Sequence, residues 1–338
     1  MNLKETRYIT RLLFCILKGK QRKNKIKDQE DQTMTDKGDI YGVIDVGSNT
    51  IRLCIYNVTG DRITAMLNNK ITAGLIGYVE DGVLSDRGIR RACDVLNTHR
   101  MMAERVGVKE LFVFATASLR NIDNREEAVA EIERETGLDI DVISGLDEAM
   151  LDFEGAAHVM ELSDGLMVDI GGGSTELVLF RNNVAKDAVS INIGSLSMFR
   201  NNVSGLFPGT SEVKAIKKKT LAELDKVKFL HNERPGTILG IGGTIRAVKK
   251  FNNDHFGLSK DNSEIMTGYI REMLHDLQGS EKKTLRKILQ VTPDRVHTLI
   301  PGMLILDTIC EKYGCRRILM SSFGVREGYL YKQVVMKK

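Results

Sequence analysis

From about residue 39 the polar and apolar positions fall into an ordered alternation. In "DIYGVIDVGSNTIRLCIYNVTG" an apolar strand ends at Asp45, a tight polar turn follows, and a second apolar strand begins. "DRITAMLNNKITAGL" continues in β-prone residues. "SDRGIRRACDVLNTHRMMAERVG" has apolar residues at helical spacing, with Ser85-Asp86 as a start signal and Gly107 as a stop. "KELFVFATASLR" predicts a buried strand running into a loop, "NREEAVAEIERETGL" a helix, "DIDVISG" a short strand and "LDEAMLDFEGAAHVMEL" a second helix. "MVDIGGGSTELVLF" then reads as one long strand broken by Gly171, Gly172 and Gly173. A helix over "SEVKAIKKKTLAELDKVKFL", a strand and glycine turn in "GTILGIGGTIRAVKKF", and a helix-rich region from about 264 to 313 complete the pattern. Strands alternating with helices predict an α/β protein with mixed sheets.

Two of these segments share a plan. "GVIDVGSNTIRLCIY" and "LMVDIGGGSTELVLF" each carry an apolar strand, an Asp at its end, a glycine turn with Ser, and a second apolar strand. Asp45 corresponds to Asp169 and Gly47 to Gly171, about one domain apart, so two related domains are expected to face each other across a cleft. Glycine permits positive φ and lets backbone amides approach an anion. Ser48, Asn49, Ser174 and Thr175 add polar donors. An acid beside a phosphate cradle repels phosphate unless a cation intervenes. Asp45, Asp169 and Glu176 therefore suggest Mg²⁺ (or Mn²⁺), which uses few carboxylates and keeps waters. Neither turn is a G-x-x-x-x-G-K-[ST] loop, and "GIGGTIRA" lacks the acidic residue of a dinucleotide site.

Composition narrows the class. The chain has 338 residues, 42% hydrophobic and 28% charged, as in a globular protein of two domains. A net charge of +4 is too mild to imply nucleic acid, and none is expected as partner. Five cysteines without C-x-x-C spacing argue against zinc and a disulfide framework, and for a cytoplasmic setting. Residues 1–37 read as a disordered basic extension. Its "ITRLLFCILKG" is too short to span a bilayer, so no stable membrane insertion is expected. Met34 opens the folded segment, so the first 33 residues read as a dispensable tail or as preceding the true start.

The motifs "VIDVGSNTIRL", "ATASLRNIDN", "ISGLDEA", "DIGGGSTEL", "GIGGTIRA" and "SSFGVREGYL" occur in the order found in the exopolyphosphatase / guanosine pentaphosphate phosphatase family, which they resemble over about residues 40–335. That family lies in the actin, sugar kinase and Hsp70 superfamily. The resemblance implies two ribonuclease-H-like domains with mixed β-sheets flanked by helices and an active site between them. The expected division is 38–155 and 156–324, with 325–338 packing back on the first, in the short two-domain form. It further implies Mg²⁺-dependent hydrolysis of terminal phosphoanhydrides in polyphosphate or guanosine pentaphosphate.

Carried over by position, Glu148 matches the base that deprotonates the attacking water, although locally it reads only as the acidic first turn of a helix. Asp169 and Glu176 match acids that hold metal and assist the water. Gly47, Ser48 and Asn49 match the first phosphate loop, and Gly171, Gly172, Gly173 and Ser174, with Thr175 beside them, the second. Arg120 matches an arginine that meets phosphate oxygens, with Asn124 nearby. Gly242, Gly243 and Thr244 match a third loop.

Lys214, Lys217, Lys218 and Lys219 on one helix read as a solvated face or as a polyanion track, to which Lys249 and Lys250 could contribute. Two other classes stay open: an ATP-dependent kinase of the superfamily, and a non-catalytic binder of polyphosphate or alarmone. A homodimer, the commonest oligomer, is compatible with all of them.

Overall fold

The computed structural model describes residues 38–336, apart from Leu162 and Gln278. The expected disordered extension at residues 1–37 lies outside the described residues. The first half contains β1 (Asp39–Val46), β2 (Thr50–Thr59), β3 (Arg62–Thr72), a small hairpin of β4 (Val79–Glu80) and β5 (Val83–Leu84), α1 (Asp86–Val106), β6 (Glu110–Ala115), α2 (Ala117–Arg120), α3 (Arg125–Thr136), β7 (Asp141–Val142) and α4 (Gly145–Ala157). Its sheet runs β3-β2-β1-β6-β7. The second half contains β8 (Asp164–Ile170), β9 (Thr175–Arg181), β10 (Val184–Ile191), α5 (Ser195–Asn202), α6 (Thr210–Leu224), β11 (Thr237–Ile241), α7 (Gly242–His255), β12 (Glu264–Met266), α8 (Thr267–Leu277), α9 (Glu281–Val291), α10 (Leu299–Tyr313), β13 (Arg317–Met320) and α11 (Val325–Leu330). Its sheet runs β10-β9-β8-β11-β13-β12.

Each sheet has an antiparallel meander followed by parallel strands. β1 pairs antiparallel with β2 and parallel with β6; β8 pairs antiparallel with β9 and parallel with β11. The central strand of each sheet is buried on both faces, which explains its nearly continuous apolar sequence. The sequence motif thus marks a repeated β-hairpin, and both hairpin turns open at the carboxyl end of the central strand. Two local differences from the sequence reading appear. "ASLR" closes into the short helix α2 rather than a loop, and the third glycine turn is the first turn of α7.

Two helices lie between the sheets and exchange partners. α4 follows the first sheet in the chain, yet Ala149, Phe153 and Ala156 pack on Met167, Val178, Phe180 and Leu239 of the second. α11 follows the second sheet, yet Tyr329 and Leu330 join Tyr41, Val43, Tyr56 and Phe114 of the first. Ring packing fixes this contact, with Phe114 and Tyr329 centroids 4.8 Å apart. Where the two helices cross, three glycines remove the side chains. A Cβ on Gly155 would collide with the Gly324 carbonyl, and one on Gly328 with the carbonyl of Leu151. α10 is buried on nearly every face and forms the axis of the larger core.

Gly328→Ala must therefore push α11 off α4. The expected loss is about 2 kcal/mol of unfolding free energy, the scale of core overpacking. Gly205→Ala, where a Cβ meets only Phe207 O at 3.8 Å, should change stability by less than about 0.5 kcal/mol. Paired urea titrations check this, and equal stability of the two variants would contradict the crossing.

Candidate active site

The two hairpin turns meet across a cleft. The first turn is held by Gly47 N donating to Thr50 O at 3.1 Å, the second by Gly171 N donating to Ser174 O at 2.9 Å. They nearly touch: a Cβ on Gly173 would lie 3.0 Å from Ser48 Oγ, and one on Gly172 3.4 Å from Ser48 Cβ. The start of α5 locks the second turn from behind. Ser195 N donates to Gly171 O, and Leu196 N and Ser197 N both donate to Gly172 O. With these carbonyls turned away, no backbone oxygen among the described residues takes up the amides of Gly172 and Gly173. The glycines serve close approach rather than unusual torsion. Of the cleft glycines only Gly242 is left-handed, at φ 82°, where a Cβ would run into the Asp169 carboxylate. Gly242 and Gly243 expose the N-terminus of α7 to the cleft, a further anion-favouring element.

Asp45, Glu148, Asp152 and Asp169 line this cleft together with Arg52, Arg246, Arg295 and Arg326. Asp45 sits opposite Arg52 across the first hairpin, and Arg326 Nη1 is 3.8 Å from Asp45 Oδ2. The Arg295 guanidinium lies against Gly243. Burial raises every one of the four carboxyls. Glu148 is pushed up to about 7, against the pull of Arg120 and with help from Asp169 and Asp45. Asp169 is pushed up to about 6 by burial and by Asp45, while Arg246, Arg326 and Arg295 hold it down. Burial and the neighbouring Arg326 lower Arg246 to about 10, well above neutrality.

The cleft lining includes Gly47, Ser48, Asn49, Gly171, Gly172, Gly173, Ser174, Gly242, Gly243 and Thr244, along with Glu148, Asp45 and Asp169. Arg120, Thr175, Glu176 and Asn124 lie elsewhere. Arg120 stands behind Glu148, with Nη1 2.7 Å from Glu148 Oε2 and 3.3 Å from Ile143 O, so it holds the carboxylate rather than facing the cleft. Thr175 is fully buried and donates to Ile193 O. Glu176 is 1% exposed, opposite Asp169 in the hairpin, and accepts from Ser190 Oγ at 2.7 Å. Asn124 braces Leu84 through both its amide groups. Lys217 is tied to buried Asp307 at 2.6 Å, Lys249 donates to Lys260 O, and none of the lysines on α6 lines the cleft.

The donor set fits a small hard cation. Asp45 is near enough to Asp169 to help raise it, and both residues line the same space as the turns. Among the described residues no three His, Cys, Asp or Glu side chains converge to cage an ion. Glu176, sealed beneath the hairpin, is not placed to join them. Mg²⁺ is commonly held by one or two carboxylates with substrate phosphates supplying the rest.

Nothing in the sequence alone groups these four arginines. Arg52 alone left a signal, because a two-sided hairpin places it across from Asp45. Arg246, Arg295 and Arg326 come from three helical segments whose convergence only the fold provides.

Comparison with known proteins agrees with this architecture. The exopolyphosphatase 1 of Mycobacterium tuberculosis is 23% identical over 301 residues, covering 87% of this chain and 88% of that protein. A guanosine-5'-triphosphate,3'-diphosphate pyrophosphatase of Aeromonas hydrophila is 25% identical over 86% of this chain and 59% of its own length. The crystal structure of an exopolyphosphatase from Cytophaga hutchinsonii superimposes with a TM-score of 0.77 at 24% identity, over 87% of this chain and 97% of that one, and so shares the fold. The model of the Ppx/GppA phosphatase family matches residues 54–336, a span that holds the second turn, the α4 acids and Arg246, Arg295 and Arg326 but begins after the first turn, and the chain belongs to that family.

Proposed function

We propose that this protein hydrolyses terminal phosphoanhydride bonds, with inorganic polyphosphate as the first candidate substrate and guanosine pentaphosphate as the second. The observation that carries the reading is one largely enclosed carboxylate, Glu148, opening onto a cleft lined by four guanidinium groups and two glycine turns. Such a cleft suits a compact, highly charged anion. The names of the relatives support both substrates, at 23% and 25% identity.

The chain's own groups supply most of the chemistry. Arg52, Arg246, Arg295 and Arg326 offset the charge of the terminal phosphates, and the amides of Gly172 and Gly173 meet the transferring group. Glu148 takes the proton of the attacking water at its carboxylate, which Arg120 holds in orientation. The start of α7 favours the anion on the opposite wall. Asp45 and Asp169 would hold Mg²⁺, which neutralises phosphate charge when bound. A cytoplasmic setting belongs to the same reading.

Three outcomes are expected. Orthophosphate release should occur from polyphosphate without any nucleotide, and parallel kcat/KM measurements on short polyphosphate, long polyphosphate and guanosine pentaphosphate rank the substrates; no release from any of them would defeat the proposal. Chelation should abolish turnover and added Mg²⁺ restore it, whereas full activity in excess EDTA would exclude the cation.

The third concerns pH. Only ionised Glu148 is a base, so kcat should climb with pH through an apparent pKa of about 7 and level off above it. Glu148→Gln should lower kcat by about 10² or more and erase that limb. Stability should move the other way. A carboxyl raised from 4.5 to about 7 costs nothing below pH 4.5, progressively more between the two values, and about 3 kcal/mol above pH 7. Glu148→Gln should therefore unfold at higher denaturant than wild type at pH 8 and match it at pH 4.

A further inference from the structure

Asp152 lies one helical turn beyond Glu148 on α4 and is 1% exposed. Its Oδ1 accepts the backbone N–H of Val325 at 2.7 Å, the first residue of α11. Its Oδ2 is buried with no hydrogen-bond partner, although the residue borders the cleft. The next residue along α11 is Arg326, whose guanidinium enters the cleft beside Asp45 and whose buried Nε has no partner. The same turn is gripped from its other side. Gly324 N donates to Glu327 Oε2 at 2.9 Å, and Glu327 Oε1 accepts from Tyr56 of β2. Gly324 leaves room for the contact, since a Cβ there would stand 2.8 Å from Asp152 Oδ1.

A buried acid with one hydrogen bond is a costly way to fill helix surface. The position suits an acid only because Val325 N–H, where α11 begins, needs an acceptor. We infer that Asp152 is a positioning residue that fixes the first turn of α11 on α4, so that Arg326 and Glu148 are set against the substrate by one rigid unit. The inference rests on the hydrolase reading above. Burial, with Asp169, Glu148 and Glu176 nearby, raises the Asp152 carboxyl well above its ordinary value. A protonated Asp152 must carry its proton on Oδ2, because Oδ1 receives the amide. Asparagine reproduces that arrangement.

The test uses the full chain with Asp152→Asn, Asp152→Leu, Arg326→Met and the double variant Asp152→Leu/Arg326→Met. Two signals are read: kcat on polyphosphate, and the Kd of tripolyphosphate by calorimetry. Asp152→Asn should stay within about threefold of wild type in both. Asp152→Leu, which leaves the amide unpaired, should lose about 30-fold in kcat, and the double variant should be no worse than the weaker single one within about threefold. If Asp152→Leu fails to fold, Val325→Pro removes the same N–H at a position proline tolerates and should show the same loss and the same non-additivity with Arg326→Met. Collapse of Asp152→Asn to the level of Asp152→Leu would overturn the inference, because charge rather than the amide contact would then matter. Fully additive losses would overturn it too. Absence of turnover in wild type would instead defeat the hydrolase reading, and the tripolyphosphate affinities of the same variants would still decide the role of Asp152.

Discussion

Holding the Glu148 carboxylate out of water while leaving it able to lose its proton is the constraint on which the cleft depends. A buried carboxylate is expensive unless something compensates it. Arg120 does so at 2.7 Å from behind, while Asp169 and Asp45 work against it from the cleft. The balance is incomplete, since burial still outweighs Arg120 and leaves the group near neutrality. A base poised there ionises readily at working pH and keeps a strong affinity for a proton. The cleft thus spends folding stability on chemistry, as active sites commonly do.

Repetition supplies the frame and asymmetry supplies the site. Both sheets end their central strand in Asp, a glycine turn and a second strand, so both turns point into the same space. The partner across each hairpin differs: Arg52 stands opposite Asp45, but Glu176 stands opposite Asp169. One hairpin therefore presents cation and anion to the cleft, while the other hides its second acid against Ser190. The exchanged helices α4 and α11 then lock the halves at a glycine crossing that brings Glu148 and Arg326 to the same cleft.

Much of this frame was legible in the sequence. Periodicity marks α1 from Asp86 to its stop at Gly107, just past Val106, and the paired "DVGSN" and "DIGGGST" turns mark both hairpins. What stayed hidden depended on distance along the chain. Glu148 reads locally as an acidic helix start, because its burial arises from strands and loops elsewhere. Arg120 looks equally fit to meet phosphate or to hold a carboxylate, and only its contact with Glu148 distinguishes the two. Glu176 follows the alternation of a strand, and register with Asp169 did not reveal that it faces Ser190. Glycine at 171–173 is legible as a means of close backbone approach, and none of the three adopts positive φ; that Ser48 of the other turn crowds Gly172 and Gly173 is visible only in the fold.

The central claim is most directly tested by titrating Glu148 itself. An infrared difference spectrum between wild type and Glu148→Gln, followed across pH, isolates the protonation of this one carboxyl. A midpoint near 7 is the expected result. A midpoint near the ordinary glutamate value of about 4.3 would contradict the account, because the carboxylate would then be neither buried against its will nor poised as a base.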